Sequence, residues 1–338
     1  MIKSIKMISH KENGMKKIYS LMMVAFMAMS IVGCGAADTA PAKPKKRQDV
    51  QVFSTPNADG TVTVKSIEAA FDSVGLEIPG NNDMNKPFSK RFKKLHYKIY
   101  NLAMYQNSEL TYKLIKKYPQ FGALTPLTMS IWEGKEGCMN IATLTINGMA
   151  RATGIPVTDP DLVAYAALIH KGLKAAMPHG TFKDLNHTVQ FPNKTLATNF
   201  EMELELDDQT PEEFIEDFEA EFEGEMEPLG FLLPNYTNLQ EEVFDDRGYT
   251  DVYDFYHTYS ICKFDVIYPV SENHPEAGAW APCSFFLYKK KGENKMYMGF
   301  LSVDNWITTI GMTEDEEGTK KLREAQGFIE KIITDMSE

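Results

Sequence analysis

A pattern of proline, glycine and alternating apolar residues occurs twice in this chain, which restricts the fold to something that can be built twice. The first occurrence is Tyr118-Pro119-Gln120-Phe121-Gly122-Ala123-Leu124-Thr125-Pro126, followed by Leu127-Thr128-Met129-Ser130-Ile131-Trp132. The second is His274-Pro275-Glu276-Ala277-Gly278-Ala279-Trp280-Ala281-Pro282, followed by Cys283-Ser284-Phe285-Phe286-Leu287-Tyr288. Pro, Gly and Pro recur at an offset of 156 residues. One inserted residue later, Asn147 lines up with Asp304, and Gly154-Ile155 with Gly311-Met312. Upstream, Gly75-Leu76-Glu77-Ile78-Pro79 echoes Gly230-Phe231-Leu232-Leu233-Pro234. Turn-forming residues repeated in order over such a length mark a duplicated unit.

Within each copy the periodicity predicts the same elements. A strand (61–64; 200–206) leads into an amphipathic helix, and in the second copy Phe214, Phe218, Phe222 and Met226 recur every four residues on one face. A short strand and a variable segment follow, then a strand (98–105; 258–264), a helix ending at the Pro-x-x-Gly turn, a hairpin and a long closing helix. In the first copy, Thr158 or Asp159 caps that last helix, Pro160 sits in its first turn, and Leu162, Ala166, Ile169 and Leu173 form its apolar stripe. Leu322, Ala325, Ile329, Ile332 and Met336 do the same in the second. Helices laid on one face of a sheet give an α+β class. The expectation is two tandem two-layer domains, each a mixed, mainly antiparallel sheet with helices on one face. Their bounds are 61–178 and 199–338, joined by a linker at 179–198.

The N-terminus carries a different message. Met15-Lys16-Lys17 precedes an uncharged, mostly apolar run over 21–32, too short to span a bilayer and suited to a signal peptide. It ends in Ile31-Val32-Gly33-Cys34, which resembles the lipobox at which bacterial lipoproteins are acylated on cysteine and cleaved just before it. Residues 1–33 are therefore expected to be a signal peptide, with 1–14 a mis-assigned start, Cys34 the lipidation site and 34–60 a proline-containing, cationic tether. Two acyl chains give a stable membrane anchor. Gly35, in place of the aspartate that retains enteric lipoproteins at the inner membrane, favours the outer membrane, facing the periplasm.

Beyond Cys34, three cysteines remain, Cys138, Cys262 and Cys283, which allow at most one intramolecular bridge. No CxxC, HExxH or CxxCH motif, EF-hand spacing or phosphate-binding glycine loop occurs, so no cofactor and no metal site are expected. Net charge −12 argues against a nucleic-acid partner. The charge is uneven. Residues 56–157 carry twelve basic and eight acidic side chains, whereas 200–312 carry six and twenty-five. The cations Lys86, Lys90, Arg91, Lys93, Lys94 and Lys98 of the first copy are expected to lean toward the acidic second copy.

The repeat unit resembles the family of the domain of unknown function numbered 302. The second copy carries the resemblance through Tyr259-Ser260-Ile261, His274-Pro275-Glu276-Ala277-Gly278, Pro282-Cys283 and Asp304. The first copy keeps Tyr100, Pro119, Gly122 and Pro126, with Leu127 in place of the cysteine and Asn147 in place of the aspartate. On this alignment Tyr100 corresponds to Tyr259, His96 to Phe255 and His257 to Lys98. The resemblance implies a fold and no established chemistry. Where some members have a second cysteine, this chain has Phe264 and Asp265.

Cys262 and Cys283, with His257 and Asp304, are the candidate binding residues, and no catalytic set is assigned. The expectation is a non-catalytic envelope protein that binds a small ligand or a protein partner, with the cleft between duplicated domains a favoured place for it. The alternative is a thiol-based enzyme or redox or metal carrier centred on Cys262 and Cys283, with His257 or His274 as the base.

Overall fold

The computed structural model describes residues 48–185, 187, 189–190, 196–206 and 209–337; Cys34 and the segment read as a signal peptide lie outside these. All described residues belong to one compact unit, 33–338. The class is α+β, with two sheets and helices.

Strand β1 (Val50–Pro56) corrects the expected tether boundary, because it falls inside 34–60 and pairs along its length with β5 (Cys138–Leu144). Its polar residues disguised it. Ser54 looks like loop, yet it is buried and donates to Asn140 Oδ1 at 2.8 Å. The strand expected over 61–64 is instead the loop and cap that start α1 (Val64–Ser73). Thr63 and Ser66 form a reciprocal capping box there, and Ile67 and Phe71 are buried.

The first sheet has the order β2-β3-β4-β5-β1-β6, with β2 Glu77–Asp83, β3 Ile99–Gln106, β4 Leu127–Glu133 and β6 Thr181–Phe182. The second, read from the matching edge, is β8-β9-β10-β11-β7, with β7 Ala197–Glu203, β8 Leu232–Asn238, β9 Tyr253–Cys262, β10 Cys283–Lys290 and β11 Lys295–Leu301. Five strands thus recur in one order. Every described pairing is antiparallel, so neither sheet is mixed. Even the irregularities match, between Glu77 and Gly80 on β2 and between Leu232 and Asn235 on β8.

Strand pairing also corrects the alignment made from sequence. Tyr105 faces Leu127 and Ile261 faces Cys283, so the 156-residue offset continues through β3 and β9. Tyr100 therefore corresponds to Tyr256, not Tyr259.

Helices cover one face of each sheet. The first carries α1, α3 (Ser108–Lys117), α4 (Ile146–Thr153) and α5 (Pro160–Ala176), the last capped by Asp159, whose side chain accepts from Asp161 N and Leu162 N. The second carries α6 (Pro211–Met226), capped by Thr210 with Glu213, and α9 (Glu316–Met336), capped by Asp315. The other face of each sheet meets the other half. That is why β4 and β5 are buried at every position rather than alternately.

The halves exchange their turns. The 3-10 turn Pro119–Leu124 lies on β10 and β11, and its counterpart Pro275–Ala279 lies on β4 and β5. The hydrogen bonds reciprocate. Tyr256 OH donates to Pro119 O, Tyr100 OH to Pro275 O at 3.5 Å, and Ser260 Oγ lies 3.1 Å from Met104 Sδ. The glycines of the repeated motif are required by this close approach. A β-carbon on Gly122 would sit 2.8 Å from Phe286 Cβ, and one on Gly278 2.6 Å from Leu102 Cδ2.

At the rim, α2 (Asn85–Phe92) meets α7 (Phe264–Asn273): Phe92 stacks on Tyr268 at 3.9 Å, Arg91 pairs with Asp265, and Lys94 with Glu272 at 2.6 Å. Two cations of the basic cluster thus reach the acidic half, while Lys86 and Lys98 pair within their own half, with Asp83 and Glu133.

The segment expected as a linker at 179–198 is pinned along its way. Thr181–Phe182 forms β6 on the outer edge of β1, Lys183 N donates to Val52 O at 2.8 Å, and Gln190 N to Thr308 O at 3.1 Å. Its end, Ala197, already belongs to β7.

Candidate functional site

Strand β9 ends at Cys262, and the chain turns through Lys263 into α7. Because Cys283 stands opposite Ile261, both face the helices, with Phe300 two positions along on the neighbouring strand. Alternation turns Cys262 to the other face, the one that carries Tyr256 and Ser260 toward the first half. Helix α9 crosses above with Leu322, Ala325 and Ile329, and α8 (Asp304–Thr309) contributes Trp306. Together these enclose an apolar cavity of about 50 Å³. Lys263 and Gln326, both half-buried, are its polar lining residues and define the mouth.

The corresponding layer of the first half is built differently. Counted from their caps Asp159 and Asp315, the closing helices align as Leu162, Ile169 and Leu173 with Gly318, Ala325 and Ile329, each set on the buried stripe. Tyr105 and Ile169 therefore stand where the second half has Ile261 and Ala325, and Leu127 where it has Cys283. Tyr105 and, one turn before Ile169, Tyr165 are both buried. The Tyr105 hydroxyl bonds Thr143 Oγ1, and the Tyr165 hydroxyl accepts from Asn107 N at 2.9 Å. Bulk withdrawn from α9 and β9 is returned on β11 and α8, where Phe300 and Trp306 replace Thr143 and Met149. The mass of the layer is kept, but it has moved away from the closing helix.

Cys262 and Cys283 are free thiols on adjoining strands, one position out of register and on opposite faces of the sheet. Burial pushes each up to about 12, with Cys262 adding a smaller upward push on Cys283. They are therefore neutral at physiological pH. Cys262 and Pro282 also line a cleft of about 440 Å³ between the halves, whose first-half wall includes Asn82, Met84 and Leu102. A second interdomain cleft, of about 490 Å³, lies between Gln120 and Thr153 on one side and Phe286, Tyr288 and Tyr297 on the other.

The other residues nominated from sequence lie elsewhere. His257 is buried under α6, its Nδ1 donating to Glu219 Oε1 at 2.6 Å with Tyr236 OH 3.3 Å away. Asp304 opens α8, accepting from Arg323 Nη2 at 3.0 Å and from Ser302 Oγ at 3.2 Å. Both act as ties between elements. Lys263 and Trp306 were not singled out from sequence, and Ala325 was read only as part of the closing helix's apolar stripe; comparing the two stripes, where isoleucine gives way to alanine, would have marked it. Among the described residues, no group of three His, Cys, Asp or Glu side chains is placed to hold a metal ion, and no helix is long and apolar enough to cross a membrane.

Residues 53–177 match the family described as "Domain of unknown function DUF302". No curated protein matches. Among solved structures, the "Crystal structure of uncharacterized conserved protein DUF302 from Bacillus stearothermophilus" is similar at 15% identity, covering 43% of this chain and 100% of that one, with a TM-score of 0.32. The matched stretch runs from within β1 to the end of α5, so the first half of this chain, residues 53–177, is a DUF302 domain.

Proposed function

We propose that this chain is a lipid-anchored protein of the cell envelope, held by acylated Cys34 on the outer membrane and facing the periplasm, that binds a small ligand without transforming it. Its halves are read as tandem copies of the DUF302 fold. The shared strand order, the matching irregularities on β2 and β8 and the reciprocal seating of the two turns support that duplication. One copy is filled to its centre, and the other is opened beneath its closing helix.

The observation that carries the binding reading is the apolar cavity under α9, lined by Cys283 and bordered by Cys262. The same thiols weigh against the alternative of a thiol enzyme or a redox or metal carrier. A nucleophile or metal ligand needs the thiolate, and burial here favours the protonated form.

Titrating the full chain with 3-methyl-1-butanol while following the Trp306 indole and the Ile261 and Ile329 methyl resonances tests the binding reading. Saturable shifts confined to these groups are expected, and shifts scattered over the surface would count against it. Metabolic labelling with an alkyne fatty acid tests the anchor. Label should be lost in Cys34→Ala, and label that persists would remove Cys34 as the acylation site.

A further inference from the structure

The class of ligand follows from the size of the cavity and from the charge at its mouth; this deepens the binding reading above and rests on it. A water molecule needs roughly 10–15 Å³ of such space. The available volume, about 50 Å³, thus admits roughly three to five heavy atoms. The walls offer them hydrocarbon and a neutral thiol, so an uncharged aliphatic group is what fits inside.

The mouth is cationic. Lys263 Nζ donates to Leu229 O and sits 4.6 Å from the Phe231 ring centroid. An ammonium has three donors, which leaves two free for an incoming acceptor. The nearest carboxylate, Asp265, is already paired with Arg91, and among the described residues Lys263 has no ion-pair partner of its own. In the first half the corresponding residue is Asn107, whose side chain caps α3 by accepting from Leu110 N at 2.9 Å. The cation is therefore particular to the half that has the cavity.

We propose that the second half binds a short aliphatic carboxylate, with its branched or straight hydrocarbon between Cys283, Trp306 and Ala325 and its carboxylate on Lys263 Nζ. Gln326 flanks the same opening, but its amide is committed. Its Oε1 accepts from Val303 N at 2.8 Å and its Nε2 donates to Glu330 Oε1 at 2.7 Å. Lys263 thus remains the residue that reads charge.

The test compares three probes on the full chain by NMR titration: 3-methylbutanoate, its uncharged analogue 3-methyl-1-butanol, and acetate. The acid is expected to bind about tenfold more tightly than the alcohol, the worth of one charge-assisted hydrogen bond, and acetate should leave Trp306 unmoved. Lys263→Met should erase the advantage of the acid while the alcohol still binds, which also shows that the cavity is intact, and Lys263→Arg should restore part of it. Cys283→Leu, which installs the residue of the first half, should weaken both ligands. If acid and alcohol bind alike, the carboxylate assignment falls and the cavity reading stands. If acetate matches 3-methylbutanoate, the chain is not being held in the cavity and the inference fails. If no probe moves Trp306, both the inference and the binding reading fail.

Discussion

Counted from their caps, Ile169 and Ala325 occupy the same turn of the closing helix in the two halves. In the first half isoleucine stands there, and the Tyr165 ring one turn earlier adds to the layer, its hydroxyl taking a backbone N–H that would otherwise be unsatisfied. In the second half the helix offers a methyl group, and bulk is supplied from the opposite side by Phe300 and Trp306. The two solutions bury similar side-chain mass, and where the bulk lies far from the helix it leaves a cavity of about 50 Å³. Where volume sits within a layer decides this, more than how much of it there is.

The sharpest way to break the comparison is to empty the filled layer of the first half at Tyr165. Tyr165→Ala should cost about 4 kcal/mol, measured by urea denaturation, because it leaves a void and strands Asn107 N. A cost under about 1 kcal/mol would mean that the first half was never filled.

Next come the two glycines, where the halves should agree. Gly122→Ala and Gly278→Ala each push a methyl into the partner sheet and should each cost about 2 kcal/mol, read as similar falls in denaturation midpoint. A large effect at one and none at the other would show that the turns are not seated equivalently.

A smaller contrast exchanges Leu127 and Cys283. Leu127→Cys should cost about 1–2 kcal/mol as a truncation in a filled layer, whereas Cys283→Leu should stay within about 1 kcal/mol of the parent because there is room for it. Equal costs would erase the difference between the layers.

Of these features, the sequence made some legible and hid others for physical reasons. The Pro-x-x-Gly turns and the stripes of α5 and α9 stood out because glycine, proline and a 3.6-residue period are local signals. Cys262 and Cys283 could be placed on adjoining strands for the same reason. Strand β1 was missed because its polar residues find partners only in the folded sheet, as Ser54 does with Asn140. The match of Tyr100 to Tyr259 slipped by three positions because aromatics crowd β9, and only strand pairing distinguishes Tyr256 from Tyr259. The cavity was hidden altogether. It depends on Ala325, Phe300 and Trp306 meeting across three elements, which no single stretch of sequence records. His257 was a sound candidate by residue type, yet its partner Glu219 lies on α6, far from it in the sequence.

The smallest effect concerns pH. Both thiols sit near 12 in the folded chain against about 9 when solvated, so the fold holds them protonated. Their contribution to stability is complete below about pH 9 and is lost as pH rises toward 12, because the unfolded chain releases protons that the folded chain retains. Stability should therefore fall less steeply over that window in Cys283→Ala than in the parent, by comparison of denaturation midpoints at several pH values. The first half has Gln106 and Leu127 at these positions, neither of which titrates. An unchanged slope in the variant would mean that the Cys283 sulfur is hydrated.

Because each half seats its turn on the sheet of the other, a hinge that parted them would have to lift Pro119–Leu124 and Pro275–Ala279 together. Domain closure of the kind that traps ligands between two lobes is thereby denied to this molecule. Entry to the space under α9 runs through the opening beside Lys263 and Gln326, and any widening of it comes from that helix breathing away from its own sheet, a local event confined to one half. Where that widening limits entry, the rate at which a ligand arrives should level off at high ligand concentration, set by how often α9 moves and not by how often the two molecules meet.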